Sequence, residues 1–342
     1  MQNWVFILPL LSCAVMTALW MRIGRDPRVR ESVAVMYGPP EFDGKPLSPA
    51  EVGAMLDEKL DPRDITAAIV GLAVRGYLKI EETKKEGLIF DSTDYYLKKL
   101  READGELSLF ERQIMQDVFG TLPARMVSEL KNTFYLNIPA LKSSLFAGLI
   151  QKKYFVSDPD SVRKRYLIIG GALAGGTAVL LSLLQGVGAG DMRPLIAGIL
   201  TALPVFGLAN HMPAKTRAGS AVYLHILGFQ EFLRRAEKDQ IERMGDRNLF
   251  STFFPYALAL DVADNWSKGF DDISQEPPQW YVSPGRMGTF SPIGFNRSFR
   301  SAVSHLSTAI YSAPRGSGTG GGGGFGGGSS GGGFGGGGGG SW

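Results

Sequence analysis

Polar and apolar residues fall into long blocks along this chain before they fall into short periods. Residues 1–21 contain no Asp, Glu, Lys or Arg, a second charge-free stretch runs between Arg165 and Asp191, and a third between Arg193 and Lys215. A charge buried in hydrocarbon is costly, and a helix needs about 20 apolar residues to cross about 30 Å of it. The pattern predicts three transmembrane helices, at 3–21, 166–184 and 194–212. A buried core helix is the alternative for each, and a cleaved signal peptide is a further alternative for the first. A signal peptide carries a basic leader, and nothing basic precedes Trp4. Leu10-Leu11-Ser12-Cys13 has the outline of a lipoprotein cleavage box, but the apolar run continues to Met21. Gly171 and Gly175 have the small-xxx-small spacing that lets membrane helices pack closely.

Between the blocks the period shortens. Residues 31–162 read as a folded α+β domain. Ser48-Pro49-Ala50-Glu51 is a capping box with Pro at the first helical position, and Asp61-Pro62-Arg63-Asp64 repeats the logic. The helix that follows, ITAAIVGLAVR, stops at Gly76, and 77–81 and 94–100 alternate like two strands. Helix, helix, hairpin is the order of a winged-helix module. Ser108-Leu109-Phe110-Glu111 opens a second copy, and LAVRGYL at 72–78 aligns with LIQKKYF at 149–155. Tandem winged-helix-like units are expected at 46–102 and 106–158. Over 219–275, Val222, Ile226, Phe229, Leu233 and Ala236 mark an amphipathic helix of roughly 220–243. Phe254, Leu258, Val262, Trp266 and Phe270 form a second stripe at i, i+4. From 286 the chain has no acid, and 19 glycines lie between 316 and 340, so 286–342 reads as a disordered Gly/Ser-rich tail.

Charge adds an orientation. Arg22, Arg25, Arg28 and Arg30 follow the first block, Arg163, Lys164 and Arg165 precede the second, and Lys215 and Arg217 follow the third. The positive-inside rule places these clusters in the cytoplasm, with the N-terminus and the 185–192 loop outside and the C-terminus inside. No predicted span contains an ionisable Asp, Glu, Lys or Arg, which argues against ion-coupled transport. Residues 31–162 hold 16 Lys+Arg against 21 Asp+Glu, an unfavourable balance for a phosphate backbone, so no nucleic-acid partner is expected. One Cys and three scattered His offer no metal site. No phosphate loop, nucleophile elbow or zinc-protease motif is present, so no cofactor, catalytic residue or small-molecule substrate is assigned. The expected partners are the lipid bilayer and a cytoplasmic protein. Phe325, Phe334 and Trp342 are the candidate interaction residues, as aromatic stickers in a tail that otherwise acts as a tether.

The arrangement resembles a bacterial family of predicted membrane proteins called domain of unknown function 2207. The residues that carry the likeness are Pro39-Pro40, Leu47-Ser48-Pro49-Ala50-Glu51, Asp61-Pro62-Arg63-Asp64 and Arg75-Gly76-Tyr77-Leu78. Further along they are Gly228-Phe229, Glu237, Pro255-Tyr256-Ala257-Leu258-Ala259, Trp266 and the Gly-rich tail. The resemblance implies the inner membrane of a bacterium and no activity. It also implies a β-rich extracytoplasmic domain upstream of the first span, so this chain corresponds to the C-terminal portion of such a protein. The expectation is therefore a mainly α membrane protein with three transmembrane helices, acting as a non-enzymatic scaffold or signalling adaptor. A membrane-bound transcription regulator and an enzyme with an unfamiliar site are the alternatives.

Overall fold

Capping chemistry sets most of the element boundaries. The computed structural model describes residues 7–314 apart from 28, 30–32, 86–91, 186–191, 236, 271–272, 274–275 and 284–289. Helix α1 (Ile7–Leu19) runs on through a π-helical turn at Trp20–Gly24. A small hairpin, β1 (Glu41–Phe42) and β2 (Lys45–Pro46), turns through Asp43 and Gly44 at φ 52 and 71. Ser48 caps α2 (Pro49–Asp57), and α3 (Pro62–Val74) follows with Asp64 reaching back to the Asp61 N–H at 2.9 Å. Gly76 at φ 78 turns the chain into β3 (Leu78–Lys85), which pairs antiparallel with β4 (Ser92–Lys99) from Leu78 opposite Lys99 onward. Next come α4 (Leu109–Phe119), β5 (Ala124–Met126), α5 (Val127–Leu130), α6 (Ile138–Gln151), α7 (Pro159–Gln185) and α8 (Arg193–Ala209). The chain returns as α9 (Arg217–Arg235), α10 (Lys238–Met244), α11 (Leu249–Ala259), α12 (Ala263–Lys268), β6 (Tyr281–Val282) and α13 (Pro292–Tyr311). The larger sheet has the order β5-β4-β3-β6, with β6 parallel to β3 and the other pairs antiparallel.

A single apolar core runs from Leu47 to Ile310 and unites the segments before α7 with those after α8. At its centre α3 is buried along its whole length from Asp64 to Ala73, as a helix apolar on all sides requires. α2, α11 and α13 pack against it. The amphipathic face of α9 delivers Ile226, Phe229, Phe232 and Leu233 to this core, where Trp266 stands edge-on to Phe270 at 4.7 Å and to Phe232 at 5.7 Å.

Four expectations are corrected. The described part of the expected 286–342 disordered tail, 290–314, is ordered: α13 occupies 292–311 and buries Phe295, Phe299, Ala302, Leu306, Ala309 and Ile310. Its apolar residues recur at helical spacing inside an Arg/Ser-rich composition, and Ser291 caps it by accepting from the Gly294 N–H. The 254–270 stripe is two helices, α11 and α12, because the chain bends at Asp261, φ 58. The 220–243 helix is likewise divided into α9 and α10. In the 106–158 segment no hairpin follows α6 among the described residues. An isolated antiparallel bridge from Phe155 to Lys215 stands in that position, and the chain turns directly into α7.

The apolar blocks form a bundle outside that core, in which α8 packs along both α7 and α1. Two helical runs, Ile7–Gly24 and Pro159–Leu184, are long and apolar enough to cross a membrane, and the apolar α8 (Arg193–Ala209) is shorter. Their outward residues are the apolar ones: Leu10 is 72% exposed, Ile168 72% and Leu183 75%. The α7–α8 seam does not use Gly171 or Gly175, which face open space. It runs through Gly170, over the Phe206 ring, and through Gly198, where a Cβ would lie 2.3 Å from the Ala174 carbonyl oxygen. Ser12 Oγ ties α1 to α8 by donating to the Thr201 carbonyl at 2.7 Å.

Candidate functional site

The two capping boxes face one cleft. In the first, Glu51 Oε2 accepts from the Ser48 N–H at 2.9 Å, and in the second, Glu111 Oε2 accepts from the Ser108 N–H at 2.9 Å. Each glutamate is only 3% exposed and has its other oxygen free for a counter-charge. Lys152 Nζ reaches Glu51 Oε1 at 2.6 Å, and Arg75 Nη1 reaches Glu111 Oε1 at 2.7 Å.

Arg75 and Lys152 occupy equivalent positions in the aligned segments 72–78 and 149–155. The backbone repeats as well. Gly76 and Lys153 both take positive φ, 78 and 61. Gly76 N–H bonds to Ala73 O at 2.9 Å and Tyr77 N–H to Leu72 O at 3.0 Å. Lys153 N–H bonds to Ile150 O at 2.8 Å and Tyr154 N–H to Leu149 O at 3.0 Å in the same pattern. The partners are exchanged between the repeats: the cation ending the first holds the glutamate opening the second, and the reverse.

The cleft between them has a volume of about 570 Å³. Its apolar wall is built from Phe42, Pro49, Val74, Pro255 and Tyr256, and its rim carries Lys45, Glu106 and Asp43. Lys45 pairs with Glu106 at 3.0 Å, and Arg75 Nη2 also donates to the Glu106 carbonyl at 3.2 Å. Lys152 sits 5.8 Å from the Phe42 ring centroid, a cation–π distance. Burial pushes the Glu111 carboxyl above its ordinary range, while the Arg75 guanidinium opposes that rise. Burial, reinforced by Glu111, pushes the Tyr256 phenol up, and its hydroxyl donates to the Leu47 carbonyl at 2.8 Å. Glu51, Glu111, Arg75 and Lys152 thus each hold a charged partner. The cleft offers an apolar surface edged by spare Arg and Lys donors, which suits binding. Among the described residues no group of three or more His, Cys, Asp or Glu is placed to hold a metal ion.

The sequence-derived candidates Phe325, Phe334 and Trp342 lie outside the described residues. Sequence reasoning did not assign Glu51, Glu111, Arg75 and Lys152 to a site. The signal was present in the two capping boxes, read as helix starts, and in the 72–78/149–155 alignment, read only as a sign of tandem units.

The chain matches no curated protein and no solved structure. A family model described as "Predicted membrane protein (DUF2207) C-terminal domain" matches residues 39–270, more than half of the chain, and covers both capping boxes, both cations, α7 and α8. The chain belongs to this family of predicted membrane proteins.

Proposed function

We propose that the protein is a non-enzymatic membrane-anchored adaptor, held by three spans, whose cytoplasmic body offers the Glu51/Glu111 cleft to a segment of a protein partner. The carrying observation is the cleft itself. It has room for a few residues, an apolar wall and a charged rim, and its buried acids are already neutralised by Arg75 and Lys152. The span reading draws support from the exposed apolar faces of α1, α7 and α8 and from the family. The N-out orientation draws support from the basic clusters flanking each block. The winged-helix-like reading of 46–102 draws support from the helix–helix–hairpin order over 49–99. The DNA-regulator alternative is disfavoured because α3, which would have to enter a groove, is covered by α2, α11 and α13.

A photo-reactive residue in place of Thr252, on the cleft wall, tests this in the native membrane. The expected result is a reproducible crosslink to one cytoplasmic protein, abolished by Arg75→Glu. Absence of any specific adduct removes the adaptor reading. Reporters fused after Gly188 should read outside, and those after Lys85 inside. A cytoplasmic signal at Gly188 removes the three-span topology.

A further inference from the structure

The apolar bundle joins the soluble body at three points of the sequence: just after the helical run that begins with α1, at the start of α7, and just after α8. Glu58 and Lys215 together connect all three. Glu58 ends α2 in the left-handed region at φ 61. Its carbonyl accepts from Arg163 Nη1 at 2.9 Å, and its carboxylate takes Arg163 Nη2 at 3.2 Å and Lys215 Nζ at 2.6 Å. Lys215 also reaches Asp26 Oδ2 at 3.4 Å, and its backbone N–H donates to Asp26 Oδ1 at 2.7 Å. Asp26 follows the α1 run, Arg163 lies early in α7, and Lys215 follows α8. Lys215 is 5% exposed and lies 5.1 Å from the Tyr223 ring. Exposed pairs contribute little, whereas removing one member of a buried pair leaves its partner uncompensated.

The same junction reaches the cleft by two routes. α2 carries Glu51 in its first turn and Glu58 at its cap, so one rigid helical segment of about 10 Å at 1.5 Å per residue joins them. The second route starts at the Lys152–Glu51 pair. Two residues beyond Lys152, the Tyr154 carbonyl accepts from the Thr216 N–H at 2.9 Å, and Phe155 forms the bridge to Lys215. The packing there is tight: a Cβ on Gly219 would lie 2.1 Å from the Tyr154 oxygen. The contacts close a ring through Glu51, α2, Glu58, Lys215, Thr216, Tyr154 and Lys152.

We propose that this ring couples the three apolar helices to the cleft. A shift of any of them at the junction opens the Glu51–Lys152 pair, and occupancy of the cleft shifts the junction. The coupling is reciprocal because it is a single free energy shared by two sites. The two states are the closed pair and the pair with Lys152 released. The biological meaning rests on the reading of α1, α7 and α8 as spans, whereas the coupling itself is a property of the ring.

Hydrogen exchange of the full chain in phosphatidylglycerol/phosphatidylethanolamine nanodiscs tests it by perturbing one end and observing the other. Glu58→Gln keeps the side-chain shape and removes the charge. It should accelerate exchange at 152–155 by at least about fivefold, the low end of typical coupling. Lys152→Met should do the same at 213–217. Glu231→Gln, which breaks the Arg235 pair within α9 and touches neither the cleft nor the ring, should change neither segment. Lys215→Met is a second junction variant with the same expected readout, should Glu58→Gln not fold. Acceleration confined to each variant's own neighbourhood overturns the proposal. So does an equal rise everywhere, β3 and β4 included, because that is general loosening. Unaltered exchange would remove the ring and leave the spans standing, while misplaced topology reporters would remove the spans and leave the ring.

Discussion

Asp64→Asn should flatten the pH dependence of stability. Asp64 lies in the first turn of α3, 1% exposed. Its Oδ2 accepts from the Asp61 N–H at 2.9 Å, while Oδ1 has no hydrogen-bond partner among the described residues. Oδ1 is pressed onto the bare backbone of Gly53, where a Cβ would come within 2.0 Å of it. Burial is the largest influence on this carboxyl, and with the nearby Asp57 it outweighs the Asp61 N–H and Arg63, pushing the pKa from 3.8 up to about 8. The folded state therefore holds a proton that the unfolded chain has released at any pH between these values. Stability from this group is fully present below the unfolded value and is lost as pH rises towards 8. At about 1.4 kcal/mol per pH unit the full span corresponds to about 6 kcal/mol, with relaxation and water entry keeping the observed figure lower. Asn keeps the acceptor for Asp61 and cannot ionise. Urea unfolding of the full chain in detergent, followed by the fluorescence of the buried Trp266, should show wild type losing stability relative to the variant between pH 5 and 8. A constant offset between the two across that range refutes the reasoning, because it would mean that Asp64 is ionised in the folded protein throughout.

Other consequences are simpler. Ile69→Asp places an unpaired carboxylate on a helix with no exposed face at that position, where Ile69 is 0% exposed, and should cost more than about 4 kcal/mol; an unaltered melting temperature would show that α3 has a free side. Gly198→Leu should force α7 and α8 apart and lower the melting temperature in detergent by overpacking worth at least about 1–3 kcal/mol, whereas Gly171→Leu should be tolerated. Deleting residues 315–342 should leave protease resistance unchanged, while deleting 292–342 should abolish it. Phe295, Phe299, Leu306 and Ile310 are each fully buried, and at about 1.5–3 kcal/mol apiece their loss is comparable to the whole stability of a domain. Equal resistance of the two truncations would contradict the packing of α13.

What the sequence made legible was local. The boundaries of α2, α3 and α4 follow from Ser48, Pro49, Pro62 and Ser108, because a cap is satisfied within one turn of chain. The all-round burial of α3 was visible in ITAAIVGLAV for the same reason. α13 was missed because composition was weighed over a long window: the Arg and Ser residues of 291–312 concealed apolar positions at 295, 299, 302, 306 and 310. The α11–α12 bend was missed because the i, i+4 stripe keeps its phase across Asp261. The Gly171/Gly175 spacing did not locate the α7–α8 seam, because spacing alone does not say which glycine faces a neighbour, and only the position of α8 singles out Gly170. The cleft depends on pairs separated by 36 and 101 positions, and no local rule reports those.

The exchange of partners has a consequence for how the body holds together. A capping-box glutamate satisfies its own helix with one oxygen, and in a buried setting the second oxygen requires a cation. Had each cation served its own repeat, the two would be separable units in contact. Instead, Glu51 depends on the end of the second repeat and Glu111 on the end of the first. Pulling the repeats apart would strand two buried carboxylates at once, a cost paid at both ends of the cleft. That cost keeps the cleft walls in register, and it makes Lys152 and Arg75 the side chains through which an occupant would have to act. Lys152 is also the residue that leads into the junction with α7 and α8, so the same side chain neutralises a cleft acid and begins the segment that enters the apolar bundle.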